Sequence, residues 1–390
     1  MKYYFIFLIL IMASFFSCKN AKITDECSLV STGEKIEFKI PDDIKNTTPC
    51  LQYYVSKKGN PYLCYLNMGN NKILFFNINS EKLSFSIKMP RVGPQGVGKI
   101  KSFVVHNMDT ILLTTGQMNV LYLIDSSGTL RRKFRIKDIK NGTNNTYIRH
   151  SFVSQRSLIV VNNKILAGTH ILTRPGPEDL EKYKICLEID MKNNKQQLLP
   201  MTFPPLSSRD NEPVPTYYST LMTNDKFIYS FQSSHNLYLT NDHKKVTVIP
   251  AKSRYIKNDF KLIDLTSGSY FKTIKSSLEN PGYTNFFYDK YRNIYYRFAY
   301  PGSKLDDSYK TEDMTVLSDI NEFRPVFSIM ILNSELEVVG EKLMPENTYH
   351  ILMSFVGKEG LYISTNHTGN PDFSADYLRF ELFRLEKKQD

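Results

Sequence analysis

The chain contains no tryptophan and only five cysteines in 390 residues. After residue 18 it has no apolar run long enough to cross a bilayer as a helix. The missing indoles weaken any sugar-stacking role, which would fall to the 25 tyrosines. Cys27, Cys50, Cys64 and Cys186 match no zinc spacing. The seven histidines are scattered, none at ligand spacing from another. There is no Gly-x-Ser-x-Gly elbow and no set of carboxylates placed for a catalytic metal. The sequence therefore offers no catalytic residue, no metal site and no cofactor. Acidic residues are outnumbered, 39 to 50, for a formal net charge of +11. No nucleic-acid motif accompanies that charge, which points instead to anionic membrane surfaces or acidic glycans.

What is present starts at the N-terminus. Met1 and Lys2 precede an apolar run over 3–12, and Ala13-Ser14-Phe15-Phe16-Ser17 leads into Cys18. The run is too short to span a bilayer and suits a signal-peptide h-region. Ser17 before Cys18 resembles a lipobox, with Phe15 where leucine is usual, so Cys18 is the expected lipidation site. The alternative is an ordinary secretory signal with Cys18 incidental. The expected divisions are a signal peptide over 1–17, a polar tether over 18–32 and one domain over 33–390. The implied location is the cell envelope, on the outer membrane through an N-terminal lipid.

Aromatic and β-branched residues dominate and alanine is scarce, which favours an all-β fold. A strand pattern then recurs six times. Residues 61–66 lead into 72–77 and 83–87. Residues 110–113 lead into 120–125 and a strand around Phe134 and Ile136. Four further copies start at 164, 226, 293 and 360. Strand-capable stretches such as 100–105, 219–222 and 349–355 separate the copies. Four strands in each of six units describe a six-bladed β-propeller. The sixth copy lacks its last strand, while 34–41 alternates strictly and has no unit of its own. The N-terminal strand is thus expected to complete the last blade and remove an exposed sheet edge.

Two segments break the pattern. Residues 200–215 hold five prolines, and 301–322 is polar and charged. Both read as loop insertions at one end of the propeller, where function often resides. The glycine cluster Gly93-Pro94-Gln95-Gly96-Val97-Gly98 precedes a strand pattern and lacks the Walker lysine, so it reads as a turn between blades. The basic stretch 131–137 reads as a solvated outer strand. Arg149, His150, His170 and Arg174 lie in polar loops and are the candidate ligand-binding residues. Cys50 and Cys64 are one candidate disulfide pair. Cys186, inside an apolar strand, reads as a small buried hydrophobe.

The lipobox-like start, the 93–98 turn leading into 100–105, and the segments 357–363 and 377–383 together resemble the lipoproteins of Bacteroides-type bacteria grouped as domain-of-unknown-function family 4221. That resemblance implies a six-bladed propeller lipoprotein and carries no established activity or catalytic residue. The expected role is a non-enzymatic binding or scaffold propeller for a protein, peptide or glycan. The alternative is a propeller hydrolase or lactonase with a metal over the central tunnel.

Overall fold

The computed structural model describes residues 25–142, 144–149, 158–171, 180–206, 215–261, 270–303 and 319–387. These residues form a six-bladed β-propeller. Blade 1 is Leu51–Val55, Pro61–Asn67, Lys72–Asn77 and Lys82–Lys88, antiparallel from the centre outward. Blade 2 is Ile100–Asn107, Thr110–Thr115, Val120–Ile124 and Leu130–Arg135. Blade 3 has a divided inner strand: Tyr147–Ile148 and Leu158–Val161 both pair with Lys164–His170, which is followed by Cys186–Asp190 and Gln196–Leu198. Blade 4 is Tyr218–Thr223, Lys226–Phe231, Asn236–Thr240 and Thr247–Pro250. Blade 5 is Gly282–Asp289, Ile294–Tyr300, Ser328–Leu332 and Val338–Leu343.

Blade 6 joins the two ends of the chain. Ser354–Val356, Leu361–Ser364 and Tyr377–Lys387 are completed by the N-terminal strand Cys27–Lys39, in register from Cys27 opposite Lys387 to Lys39 opposite Tyr377. The closure expected from sequence is therefore present. The strand starts at Cys27, however, so the end of the expected 18–32 tether belongs to the sheet. A bulge between Ser31 and Lys35 interrupts it, with Gly33 at φ +73° and Thr32 Oγ1 donating to the Leu382 carbonyl at 3.0 Å. The strand also ties blade 6 to both neighbours. Its Cys27 carbonyl packs where a side chain at Gly340 of blade 5 would stand, and its Glu37 amide donates to Glu81, beside blade 1's outer strand, at 2.9 Å.

Apolar cores fill the spaces between blades, which explains why the middle strands read as nearly continuous apolar runs. Phe38, Leu63, Phe76 and Phe380 are fully buried between blades 6 and 1. Outer strands such as Lys82–Lys88 are largely exposed and carry lysine on their solvent face. Leu130–Arg135 behaves likewise: Arg131 pairs with Asp125 at 2.6 Å, and Arg132 stacks 4.8 Å from the Phe134 ring centre.

Several local expectations change. The stretch 349–355 is a strand only over Ser354–Val356, because Met353 N–H bonds the His350 carbonyl at 3.1 Å and makes a turn before it. Cys50 and Cys64 are not bridged: Cys64 is a fully buried thiol, and Cys50 Sγ lies 3.3 Å from the Lys101 carbonyl. Cys186 is buried within its strand, and that burial pushes its thiol up to about 12. The 93–98 turn does connect blades 1 and 2, with Gly93 and Gly98 at φ +87° and +75°. A helix over Tyr270–Glu279, unforeseen in an all-β reading, precedes blade 5 with Ile274 and Leu278 buried. No helix among the described residues is long and apolar enough to cross a membrane.

Candidate functional site

The innermost strands all run in one direction along the propeller axis, so each mouth of the central channel is built from equivalent ends of different blades. At the mouth where these strands begin lies a cavity of about 210 Å³. Its lining comprises Arg149 of blade 3, Tyr217, Tyr218, Ser219, Ser230 and Gln232 of blade 4, Tyr283, Thr284, Tyr300, Asn321 and Arg324 of blade 5, and Ile351 and Leu352 before blade 6. No carboxylate or imidazole is among these residues.

Two arginines define the chemistry. Arg149 extends the short strand Tyr147–Ile148, its amide bonded to the Gly168 carbonyl at 2.8 Å. Its guanidinium carbon lies 4.6 Å and 4.5 Å from the ring centres of Tyr217 and Tyr218, and Nη1 donates to the Thr216 carbonyl at 3.2 Å. Arg324 follows a helical turn over 319–322. It lies 4.5 Å from the Tyr300 ring centre and donates to the Leu278 and Ser277 carbonyls, each at 3.2 Å, and to Asn321 Oδ1 at 3.3 Å. Those two carbonyls end the Tyr270–Glu279 helix, so its C-terminal partial negative charge faces the guanidinium. Both arginines are at least nine-tenths buried. Burial holds both guanidiniums below the ordinary arginine value, with the neighbouring tyrosines pulling the other way.

The tyrosines are themselves fixed. Tyr218 Oη donates to the Ile185 carbonyl at 2.8 Å, and Gln232 Nε2 donates to Tyr300 Oη at 2.6 Å. Tyr300 lies across Gly282, where a Cβ would stand 2.7 Å from its hydroxyl. Beneath the cavity the fully buried Arg297 donates to Ser230 Oγ at 2.9 Å and to the Ala251 and Ser234 carbonyls, each at 2.7 Å. Burial pushes the Tyr283 hydroxyl up to about 12 against the opposing pull of Arg297.

The opposite mouth differs. Its cavity of about 270 Å³ is lined by Gln52, Tyr53, Phe287, Lys290, Tyr291 and Phe355 among others. Tyr53 stacks on Phe355 with ring centres 5.8 Å apart and planes at 6°. Side chains clamp adjacent blades around the channel: Gln52 exchanges two hydrogen bonds with Val105, and Asn285 Nδ2 donates to the Ile351 carbonyl at 2.9 Å.

Of the residues singled out from sequence, Arg149 lines the first cavity. His170 ends its strand opposite Tyr147 and is not among the lining residues. His150, Arg174 and Cys18 lie outside the described residues. The described flanks of both insertions, Tyr217 after one and Asn321 within the other, meet at this cavity. Sequence reasoning missed Arg324 and Arg297. A charged residue inside the apolar run Ile294–Tyr300 was the available signal for Arg297; Arg324 had none. The fold also brings His350 and His367 against the Phe323 ring, with centres 5.1 Å and 5.5 Å away. Among the described residues no group of three or more His, Cys, Asp or Glu is placed to hold a metal ion.

The chain is similar in structure to a family member from Bacteroides vulgatus ATCC 8482, a crystal structure. The TM-score is 0.79 at 25% identity, covering 94% of this chain and 100% of that one. A protein from Bacteroides fragilis NCTC 9343 shares the fold more distantly, with a TM-score of 0.51 at 9% identity over 95% of this chain and 98% of that one. None of the curated proteins matches. The family model for the domain of unknown function DUF4221 matches residues 26–343; the segment 357–383, part of the initial resemblance, lies beyond that match. With a family match over most of its length and a propeller shared with a solved member, the chain belongs to the DUF4221 family.

Proposed function

We propose that this protein is a lipid-anchored cell-envelope propeller that binds a small ligand at the arginine-bearing mouth of its channel and does no chemistry on it. The observation that carries the reading is the lining of that cavity. Fixed tyrosines, buried guanidiniums, amides and hydroxyls converge there from blades 3, 4 and 5. Such a set orients a ligand, and no carboxylate of the kind a metal-dependent lactonase places over the tunnel is among the described lining residues. The h-region over 3–12 and Cys18 support the anchor, and the Bacteroides fragilis relative is described as an exported protein. The Asp25 carboxylate pairs with Arg254 at 2.5 Å and 3.2 Å, so only the six residues 19–24 separate Cys18 from a fixed point. The span from Cys18 to Asp25 reaches about 25 Å when extended.

Three measurements test this. A thermal-shift screen of neutral, cationic and anionic fragments should give hits whose effect disappears in Tyr217→Ala; hits that ignore this variant overturn the site. Metal-dependent turnover of a lactone or ester panel overturns the non-enzymatic role. Expressed with its native leader in a Bacteroides host, the protein should fractionate with membranes and Cys18→Ser should release it. Membrane association unchanged by Cys18→Ser overturns the anchor.

A further inference from the structure

Arg324 is a buried cation held by polar groups that carry no full negative charge. Its partners are two carbonyls, one amide oxygen and the Tyr300 ring, and no carboxylate among the described residues lies within ion-pair distance of it. A guanidinium has five N–H donors, so three acceptors leave donors to spare. Taking a cation out of water without a counter-charge is costly. The helix end offsets that only in part, since it amounts to roughly half an elementary charge. Arg149 adds a second guanidinium to the same cavity. Guanidinium is the side-chain group best matched to the two oxygens of a carboxylate. Around these two charges stand the rings of Tyr217, Tyr218, Tyr283 and Tyr300. At about 210 Å³ the space is smaller than the roughly 300–1,000 Å³ of drug-sized sites.

We infer that the ligand is a small ring-bearing carboxylate, its acid group on Arg324 and Arg149 and its ring against the tyrosines. The inference rests on the binding-site reading above and names its ligand class. Two sources share this chemistry, a sugar acid and an aromatic acid, and they are separated by the choice of probe.

The test titrates two acid–amide pairs into the full chain: glucuronate with glucuronamide, and benzoate with benzamide. Calorimetry reads the affinity. At least one acid should bind about tenfold or more tightly than its amide, the worth of a charge-assisted hydrogen bond. Arg324→Gln should remove that difference. The pair showing the effect identifies the source. Because the acid–amide comparison uses the unaltered protein, it stands even where Arg324→Gln fails to fold. Equal binding of acid and amide, both weakened by Tyr217→Ala, overturns the carboxylate inference and leaves the site standing. If neither acid binds at millimolar concentration the inference is likewise overturned, and the neutral and cationic arms of the fragment screen then decide the site on their own.

Discussion

The guanidinium carbon of Arg297 sits 3.5 Å from the centre of the Tyr283 ring, and the arginine has no exposed surface. Five acceptors surround it: Ser230 Oγ and the carbonyls of Phe231, Ser234, His235 and Ala251. One side chain thus fixes the turn after blade 4's second strand, the chain leaving its outer strand, and the tyrosine that floors the cavity.

Arg297→Met should be among the most damaging single changes in the protein. It keeps much of the volume but leaves several buried carbonyls without donors, each worth about 1–3 kcal/mol. A loss of at least about 3 kcal/mol is expected from urea denaturation. A loss under about 1 kcal/mol would show that water replaces the guanidinium freely.

Closing the ring with Cys27–Lys39 makes the N-terminal strand a condition for the stability of the whole. Phe38 is fully buried between blades 6 and 1. Phe38→Ala should cost about 3–5 kcal/mol, and removing 27–39 should abolish cooperative melting. A truncated chain that melts like the intact one would contradict this.

Gly282 makes room for the Tyr300 ring that supports Arg324. Gly282→Ala drives a methyl into that ring, at a typical cost of about 1–3 kcal/mol. Ligand affinity should fall more than this modest destabilisation explains, since the displaced ring carries the guanidinium. Calorimetry and thermal melting on the same samples separate the two effects.

Acid should loosen the fold through its histidines. Burial lowers His350 to about 3, with His367 adding to the effect, and burial lowers His235 and His243 to about 4. In the unfolded chain each returns to about 6.5. Below that value the unfolded state takes up protons that the folded state refuses, so stability is full above about pH 7 and falls as the pH drops towards 4. For His350 the loss is up to about 1.4 kcal/mol per pH unit. Denaturation midpoints across this range should fall less steeply in His350→Gln.

The propeller was legible because its blades repeat the same alternation of apolar strand and turn, and because an orphan strand at 34–41 matched a missing one at the other end. The strand's start at Cys27 was not legible: Gly33 and the bulge hide the alternation upstream of it. Arg149 stood out as a charged residue in a loop. Arg324 did not, because its partners are carbonyls of a helix some 45 residues earlier, and backbone acceptors leave no mark on sequence. The convergence of blades 3, 4 and 5 on one cavity depends on ring geometry, which no local pattern encodes.

The pairing of Cys27–Lys39 with Tyr377–Lys387 has a consequence in time. Partners such as Thr32 and Leu382 stand 350 residues apart, so Cys27–Lys39 waits, unpaired, until Tyr377–Lys387 is made. Until that segment emerges, the partial chain presents open sheet edges and no closed ring. Slow, late-committing folding is the expected kinetic signature of so non-local a contact. A chaperone that shields those edges would act on the nascent chain rather than on the finished protein.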